Sequence, residues 1–118
     1  MIIDERVVEG VTILDLKGKM TLGEGDEALK DKINSLIHQE RRKILLNLEG
    51  VPYMDQAGLG ELVRAYTSVS RQGGRLKLLK LTKRTEDVLA KTRLLTVFEC
   101  FDDEAEAVKS FEHHRIPV

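Results

Sequence analysis

The chain has 118 residues, 19 Lys plus Arg against 20 Asp plus Glu, a formal net charge of −1 and a single cysteine. That length suffices for one domain with its own core, while balanced, dispersed charge and the absence of tryptophan argue against nucleic acid, which wants a basic face or a stacking platform. With Cys100 alone and neither a long apolar run nor a signal-peptide lead in Met1-Ile2-Ile3-Asp4-Glu5, a reducing cytoplasm and no direct membrane insertion are expected.

Residues 2 to 8 and 11 to 17 predict two strands, rich in Val and Ile and joined at Glu9-Gly10, where the glycine permits a tight reversal. Gly18 ends the second strand, and Lys19 to Gly25 predicts a loop. From Asp26 the period changes: Leu29, Ile33, Leu36 and Ile37 share one helical face, and the polar segment 39 to 42 ends that helix. Ile44-Leu45-Leu46-Asn47-Leu48 reads as a strand buried on both faces, as parallel strands are. A short loop carrying Asp55 then delivers Gln56-Ala57-Gly58 to a helix start, followed by Leu59, Leu62, Val63, Tyr66 and Val69 at helical spacing and Gly73-Gly74 as the stop. Arg75 to Leu81 predicts the next strand, Thr82 caps a helix through Lys91, and Val97 to Phe101 predicts the last strand. Asp102 is then expected to cap a helix that buries Ala105, Val108 and Phe111. The fold expected is α/β: an N-terminal β-hairpin feeding a mixed, mainly parallel sheet of about five strands with about four helices, on one or both faces. Residues 1–112 form the domain and 113–118 a short C-terminal tail expected to fray.

Three stretches resemble one known family. Gly10-Val11-Thr12-Ile13-Leu14-Asp15-Leu16-Lys17-Gly18 is similar to its second strand and terminating glycine. Leu48-Glu49-Gly50-Val51-Pro52-Tyr53-Met54-Asp55 with Gly58-Leu59-Gly60 is the most specific, and Leu94 to Phe101 before Glu104-Ala105 is similar to the last strand and closing helix. In order and spacing they resemble the STAS-domain anti-sigma-factor antagonists of bacteria, over nearly the whole chain.

The resemblance implies a non-catalytic binding module without a cofactor. Its partner would be an anti-sigma factor, a serine-protein kinase of the ATP-binding type, which the antagonist binds so that a sigma factor is displaced. It implies a partner-binding surface from Met20, Thr21, Leu22, Gly23 and Glu24 together with Met54, Asp55, Gln56, Ala57, Gly58, Leu59 and Gly60. In that family the kinase phosphorylates a Ser or Thr immediately before the junction glycine, adding nearly two negative charges that break the interface. Here that position is Ala57, so residue 57 offers no phosphoacceptor oxygen. Gln56, Thr21 and Asn47 also depart from the residues the family commonly carries, whereas Asp55 is kept.

Each candidate has a plainer reading. Asp55 can simply cap the helix, Gly58 and Gly60 can serve the turn and packing, and Met54, Leu59, Met20 and Leu22 can be core. Thr67, Ser68 and Ser70 are ordinary residues for a solvated helix face, and His38, His113 and His114 make no metal pattern with Cys100, which reads as a core residue. No nucleophile and base can be paired from spacing. Two alternatives remain: a STAS subunit of a transporter or multiprotein signalling complex, and, more distantly, a receiver-like domain phosphorylated on Asp55. The second lacks a well-placed acidic pair, because Asp4-Glu5 precedes Val7-Val8 within the first strand.

Overall fold

A computed structural model describes residues 1–112; the fraying expected at 113–118, and His113 and His114, lie outside the described residues. Strands β1 (Ile2–Val8) and β2 (Val11–Lys17) pair antiparallel from Ile2↔Lys17 to Val8↔Val11. The reversal places Glu9 and Gly10 at φ 50° and 82°, the two positive values that a two-residue turn matched to strand twist requires. The chain continues through α1 (Gly25–His38), β3 (Lys43–Gly50), α2 (Gln56–Arg71), β4 (Arg75–Leu79), α3 (Lys83–Lys91), β5 (Cys100–Phe101) and α4 (Glu104–Ser110). The sheet runs in the order β1-β2-β3-β4-β5, and every pair after the hairpin is parallel.

This order decides which faces the helices cover. Each parallel strand is added on the same side of its predecessor, so crossovers of one hand leave their helices on one face. Leu29, Ile33 and Leu36 of α1, Leu62, Ala65 and Val69 of α2 and Leu89 of α3 accordingly share one core with Leu14, Leu16, Ile44, Leu46, Leu48, Leu76 and Leu78 of the sheet. The opposite face is covered by α4 alone, whose Ala107 and Val108, with the following Phe111, pack on Val11, Ile13, Leu45 and Leu79. Lys77, on that second face and 4% exposed, holds the end of α4: its Nζ donates to the Ser110 carbonyl at 3.2 Å and Oγ at 2.8 Å, pairs with Glu99 at 3.0 Å, and lies 4.6 Å from the Phe111 ring centre.

The α/β hairpin-led sheet is as the sequence pattern predicts, but its last third differs in detail. The strand expected over 97 to 101 is reduced to Cys100–Phe101, after a single 3₁₀ turn at Leu94–Thr96. Its apolar residues serve packing rather than a ladder: Phe98 is buried and meets Tyr66 of α2 edge to face at 5.1 Å. The preceding strand stops at Leu79 rather than Leu81 because Lys80 takes φ 56°, outside the extended region. Asp103, not Asp102, caps α4, its carboxylate accepting from Glu106 N–H at 2.9 Å. Ala105 is exposed, and Ala107 is buried in its place beside Val108 and Phe111. Cys100 is exposed at the sheet edge rather than in the core. Its thiol is pushed up to about 11 by partial enclosure of the sulfur and by the Glu86 and Asp102 carboxylates, which keeps it protonated at neutral pH.

Candidate functional site

The start of α2 is built by continuing the β2–β3 pairing beyond both strands. Gly18 N–H donates to Gly50 O at 2.9 Å, Met20 N–H to Tyr53 O at 2.9 Å, and Asp55 N–H to Met20 O at 3.2 Å. Met20 and Met54 form an isolated parallel bridge at the end of this run, and both side chains turn into the core. Their apolar character, which the sequence left open to a surface role, anchors the site from beneath. Asp55 then joins the two loops: one carboxylate oxygen accepts from Gly58 N–H at 2.9 Å, the other from Leu22 N–H at 3.1 Å. The first bond is an N-cap, with Asp55 extended at φ −98° and ψ −171°; the second crosses to the loop after β2. These bonds, Gly58 first and Leu22 second, hold the Asp55 carboxyl below the usual carboxylate range.

The loop 20–24 is itself well fastened. Thr21 O accepts the N–H groups of Glu24 and Asp26 at 3.1 and 3.3 Å, and its hydroxyl lies 3.4 Å from the Glu24 carboxylate. Asp26 accepts from Gly23 N–H at 2.8 Å and Glu27 N–H at 2.7 Å, with Gly23 at φ 83° supplying the reversal. Leu22 at the tip is 74% exposed. A 3.1 Å tether to Asp55 thus presents a large apolar side chain to solvent beside the helix start.

The two junction glycines divide. A Cβ on Gly58 would land on the carbonyl and side chain of Met20, so this buried glycine is what lets the two loops touch. A Cβ on Gly60 would meet nothing within 4 Å, and Gly60 is exposed. Leu59 is half-buried against the main core, whereas Gln56, Gly23 and Glu24 are exposed and Thr21 and Ala57 are half-buried. The structure adds Tyr53, Arg84 and Thr82, which the sequence did not assign to this surface. Tyr53 is exposed with Arg84 of α3 stacked over its ring at 5.0 Å, and the Thr82 hydroxyl donates to Val51 O at 3.3 Å, tying the α3 start to the same loop. Exposed Leu22, Gln56, Tyr53 and Arg84, with half-buried Ala57, are the surface side chains that this scaffold gathers. Pro52-Tyr53 between a strand and a cap was the available signal, an aromatic with no core period to occupy.

Away from the junction, the second face of the sheet carries a charged cluster. Arg6 of β1 donates Nε and Nη2 to Asp15 at 2.7 and 3.1 Å, and Nη1 and Nη2 to Glu104 at 2.8 and 2.7 Å. Both carboxyls are held below their usual range, foremost by Arg6, and the guanidinium is correspondingly held more firmly protonated, foremost by Glu104 and then Asp15. Asn47 donates to Asp15 at 2.8 Å and accepts from Glu49 N–H at 3.1 Å, so an amide serves where a second carboxylate would repel Asp15. On α2, Arg64 is bidentate to Glu61 and reaches Ser68 at 3.3 Å, while Thr67 is half-buried and Ser70 exposed. Among the described residues no group of three His, Cys, Asp or Glu is placed to hold a metal ion. No described helix is long and apolar enough to cross a membrane.

The STAS domain, as a family, matches residues 3–107. The chain belongs to the STAS-domain family. A curated relative, the anti-sigma F factor antagonist of Paenibacillus polymyxa, is 22% identical over 103 residues, 87% of this chain and 88% of the relative. Among solved structures, a candidate anti-sigma factor antagonist of Thermotoga maritima superposes with a TM-score of 0.87 at 25% identity, covering 94% of this chain and 95% of the other. SpoIIAA in its unphosphorylated form superposes with a TM-score of 0.70 at 20% identity, covering 95% of this STAS domain and 99% of SpoIIAA. A sulfate transporter family protein of Wolinella succinogenes shares the fold, with a TM-score of 0.71 at 18% identity over 91% of this chain and 88% of that one. The receiver-like alternative fails on the same ground: this STAS sheet runs in unbroken sequence order from an antiparallel hairpin, whereas receiver sheets reverse order around their first strand.

Proposed function

We propose that this STAS domain is an anti-sigma-factor antagonist that docks on a kinase-type, ATP-binding anti-sigma factor through the α2 start and the loop 20–24, without a phosphorylation switch at residue 57. The observation that carries the proposal is the double hydrogen bond of Asp55, which locks the loop tip and the helix start into one rigid, partly apolar surface. A pre-ordered surface loses little conformational entropy on binding, and exposed Leu22 and Tyr53 supply anchors. The name of the Paenibacillus relative supports the partner class, and SpoIIAA is known in both phosphorylated and unphosphorylated forms. A phosphate at the start of α2 would change this surface by nearly two charges. The Ala57 methyl holds it permanently in the uncharged state.

A native pull-down from the source cells tests the reading. Wild type should recover a soluble ATP-binding kinase, and Leu22→Arg, which alters an exposed side chain and leaves the core intact, should lose it. Recovery of the same proteins by both variants would remove the junction from consideration. The transporter reading is favoured by the Wolinella fold relative together with Gln56 and Ala57 at the switch positions. Recovery of a membrane transporter in place of the kinase would establish it.

A further inference from the structure

Strand β1 is an edge of the sheet, and its sequence Ile2-Ile3-Asp4-Glu5-Arg6-Val7-Val8 is self-complementary when run against itself. The hairpin turn fixes which main-chain groups are free. Val8 and Val11 close a two-residue turn, so Ile2, Asp4, Arg6 and Val8 point their N–H and C=O groups at β2, and Ile3, Glu5 and Val7 point theirs outward. An antiparallel copy centred on Glu5 pairs outward residues with outward residues, Glu5 with Glu5 and Ile3 with Val7, for about six main-chain hydrogen bonds. In that register Asp4 faces Arg6 across the two-fold and Ile2 faces Val8. Every such register sets one like pair at its centre, but moving the centre to Asp4 or Arg6 also sets Ile or Val against charge, so the Glu5-centred register is the best matched.

Two further features fit the same register. Ile2 and Val7 are 63% and 50% exposed, so the edge carries apolar side chains that a second strand would cover. On the α1 face a groove of about 370 Å³ is lined by Met1, Ile3, Ala28 and Lys32, where the opposing Val7 would enter beside Ile3. On the α4 face a groove of about 650 Å³ is lined by Val8, Ala105, Val108 and Lys109, where the opposing Ile2 would enter beside Val8. The charges also suit a second copy. Asp4 is exposed, its one ion-pair contact among the described residues being Lys17 at 3.9 Å, so it can add to the carboxylates of Asp15 and Glu104 around the opposing Arg6. The facing Glu5 pair would repel, but Lys32 of α1 already holds Glu5 at 3.0 Å and would place a cation on each side.

We propose that β1 is a homodimer interface, two copies joining edge to edge through residues 2–8 centred on Glu5 to form one continuous sheet. The surface lies at the sheet edge, apart from the start of α2, so the proposal stands independently of the antagonist reading. It is tested by sedimentation velocity of the full chain over a concentration series to the millimolar range, with thiol cross-linking in a Cys100→Ser background. Wild type should show a concentration-dependent dimer. Val7→Lys, with an unchanged circular dichroism spectrum, should weaken it at least about tenfold, equivalent to one lost anchor. Glu5→Cys should cross-link to a dimer with a short bis-thiol reagent, because the two positions lie about 5.5 Å apart, whereas Ile2→Cys, whose counterpart is displaced six positions along the strand, should not. A wild-type chain that stays monomeric throughout, a Val7→Lys dimer of unchanged strength, or Ile2→Cys cross-linking as well as Glu5→Cys would overturn the proposal.

Discussion

The two faces of the sheet are held in different ways. On the face of α1, α2 and α3 the core is continuous and apolar, from Leu29 and Ile33 to Leu62, Val69 and Leu89, and Met20 and Met54 carry it to the root of the α2 junction. On the other face a smaller apolar cluster lies under one short helix, and charges finish the attachment: Arg6 to Asp15 and Glu104 at one end of α4, Lys77 to Ser110 at the other. The difference teaches that the candidate binding surface is placed from beneath by packing and main-chain bonds, with a single carboxylate, Asp55, joining its two loops. The α4 side, by contrast, depends on ion pairs that solvent and protons can weaken.

Substitutions at the two faces should therefore behave differently. Gly58→Ala should have the largest effect, roughly 2 kcal/mol or more of destabilisation in a urea melt, because the new methyl overpacks the Met20 carbonyl beneath the junction. A loss near zero would show that the close approach of the two loops is not needed. Glu104→Gln on the other face should cost about 0.5–1 kcal/mol, limited by the partial solvent exposure of the Arg6 pair. It should also flatten the acid branch of the stability curve. Asp15 and Glu104 have folded-state values below their unfolded ones, near 3.8 and 4.5, so the unfolded chain binds more protons in that range. Their contribution is complete above those unfolded values and is lost as pH falls below them through the folded values, while Arg6 stays charged throughout. Stability measured from pH 5 downward should fall more steeply for wild type than for Glu104→Gln; parallel curves would mean the clamp does not hold α4. Gly60→Ala should show a change of similar size and the opposite sign, stabilising by about 0.5–1 kcal/mol because its Cβ enters open space in an exposed helix turn.

Much of the scaffold was legible in the chain itself, for a physical reason. The centres of the periodic faces, Leu29, Ile33 and Leu36 on one helix and Leu62 and Val69 on another, are buried as the period implies, while their flanks at Ile37, Leu59, Val63 and Tyr66 are partly buried. The hairpin and the cap at Asp55 were readable because turn and cap residues act on their own neighbours. The last third was less legible because Val97-Phe98-Glu99-Cys100-Phe101 carries β-type residues whose burial is decided by tertiary contact, Phe98 against Tyr66, rather than by a ladder. With acidic residues at both 102 and 103, the sequence offered two caps, and with Ala105 and Ala107 both small and apolar it did not mark which of them packs on the sheet. At the junction, the family resemblance brought the two loops together; the bond from Leu22 N–H to Asp55, 33 residues apart, could be seen only in three dimensions. The family resemblance pointed to the partner class, and the substitution at Ala57 set the question of its switch.

That question is open to one direct measurement. The kinase recovered by the pull-down would be incubated with Mg-ATP and either wild type or Ala57→Ser, and each product followed by intact mass and by retention on the kinase. The account predicts that wild type stays unmodified and bound, while Ala57→Ser gains one phosphate and is released. Phosphorylation and release of wild type, or an Ala57→Ser chain that the docked kinase leaves untouched, would contradict the placement of the partner at the start of α2.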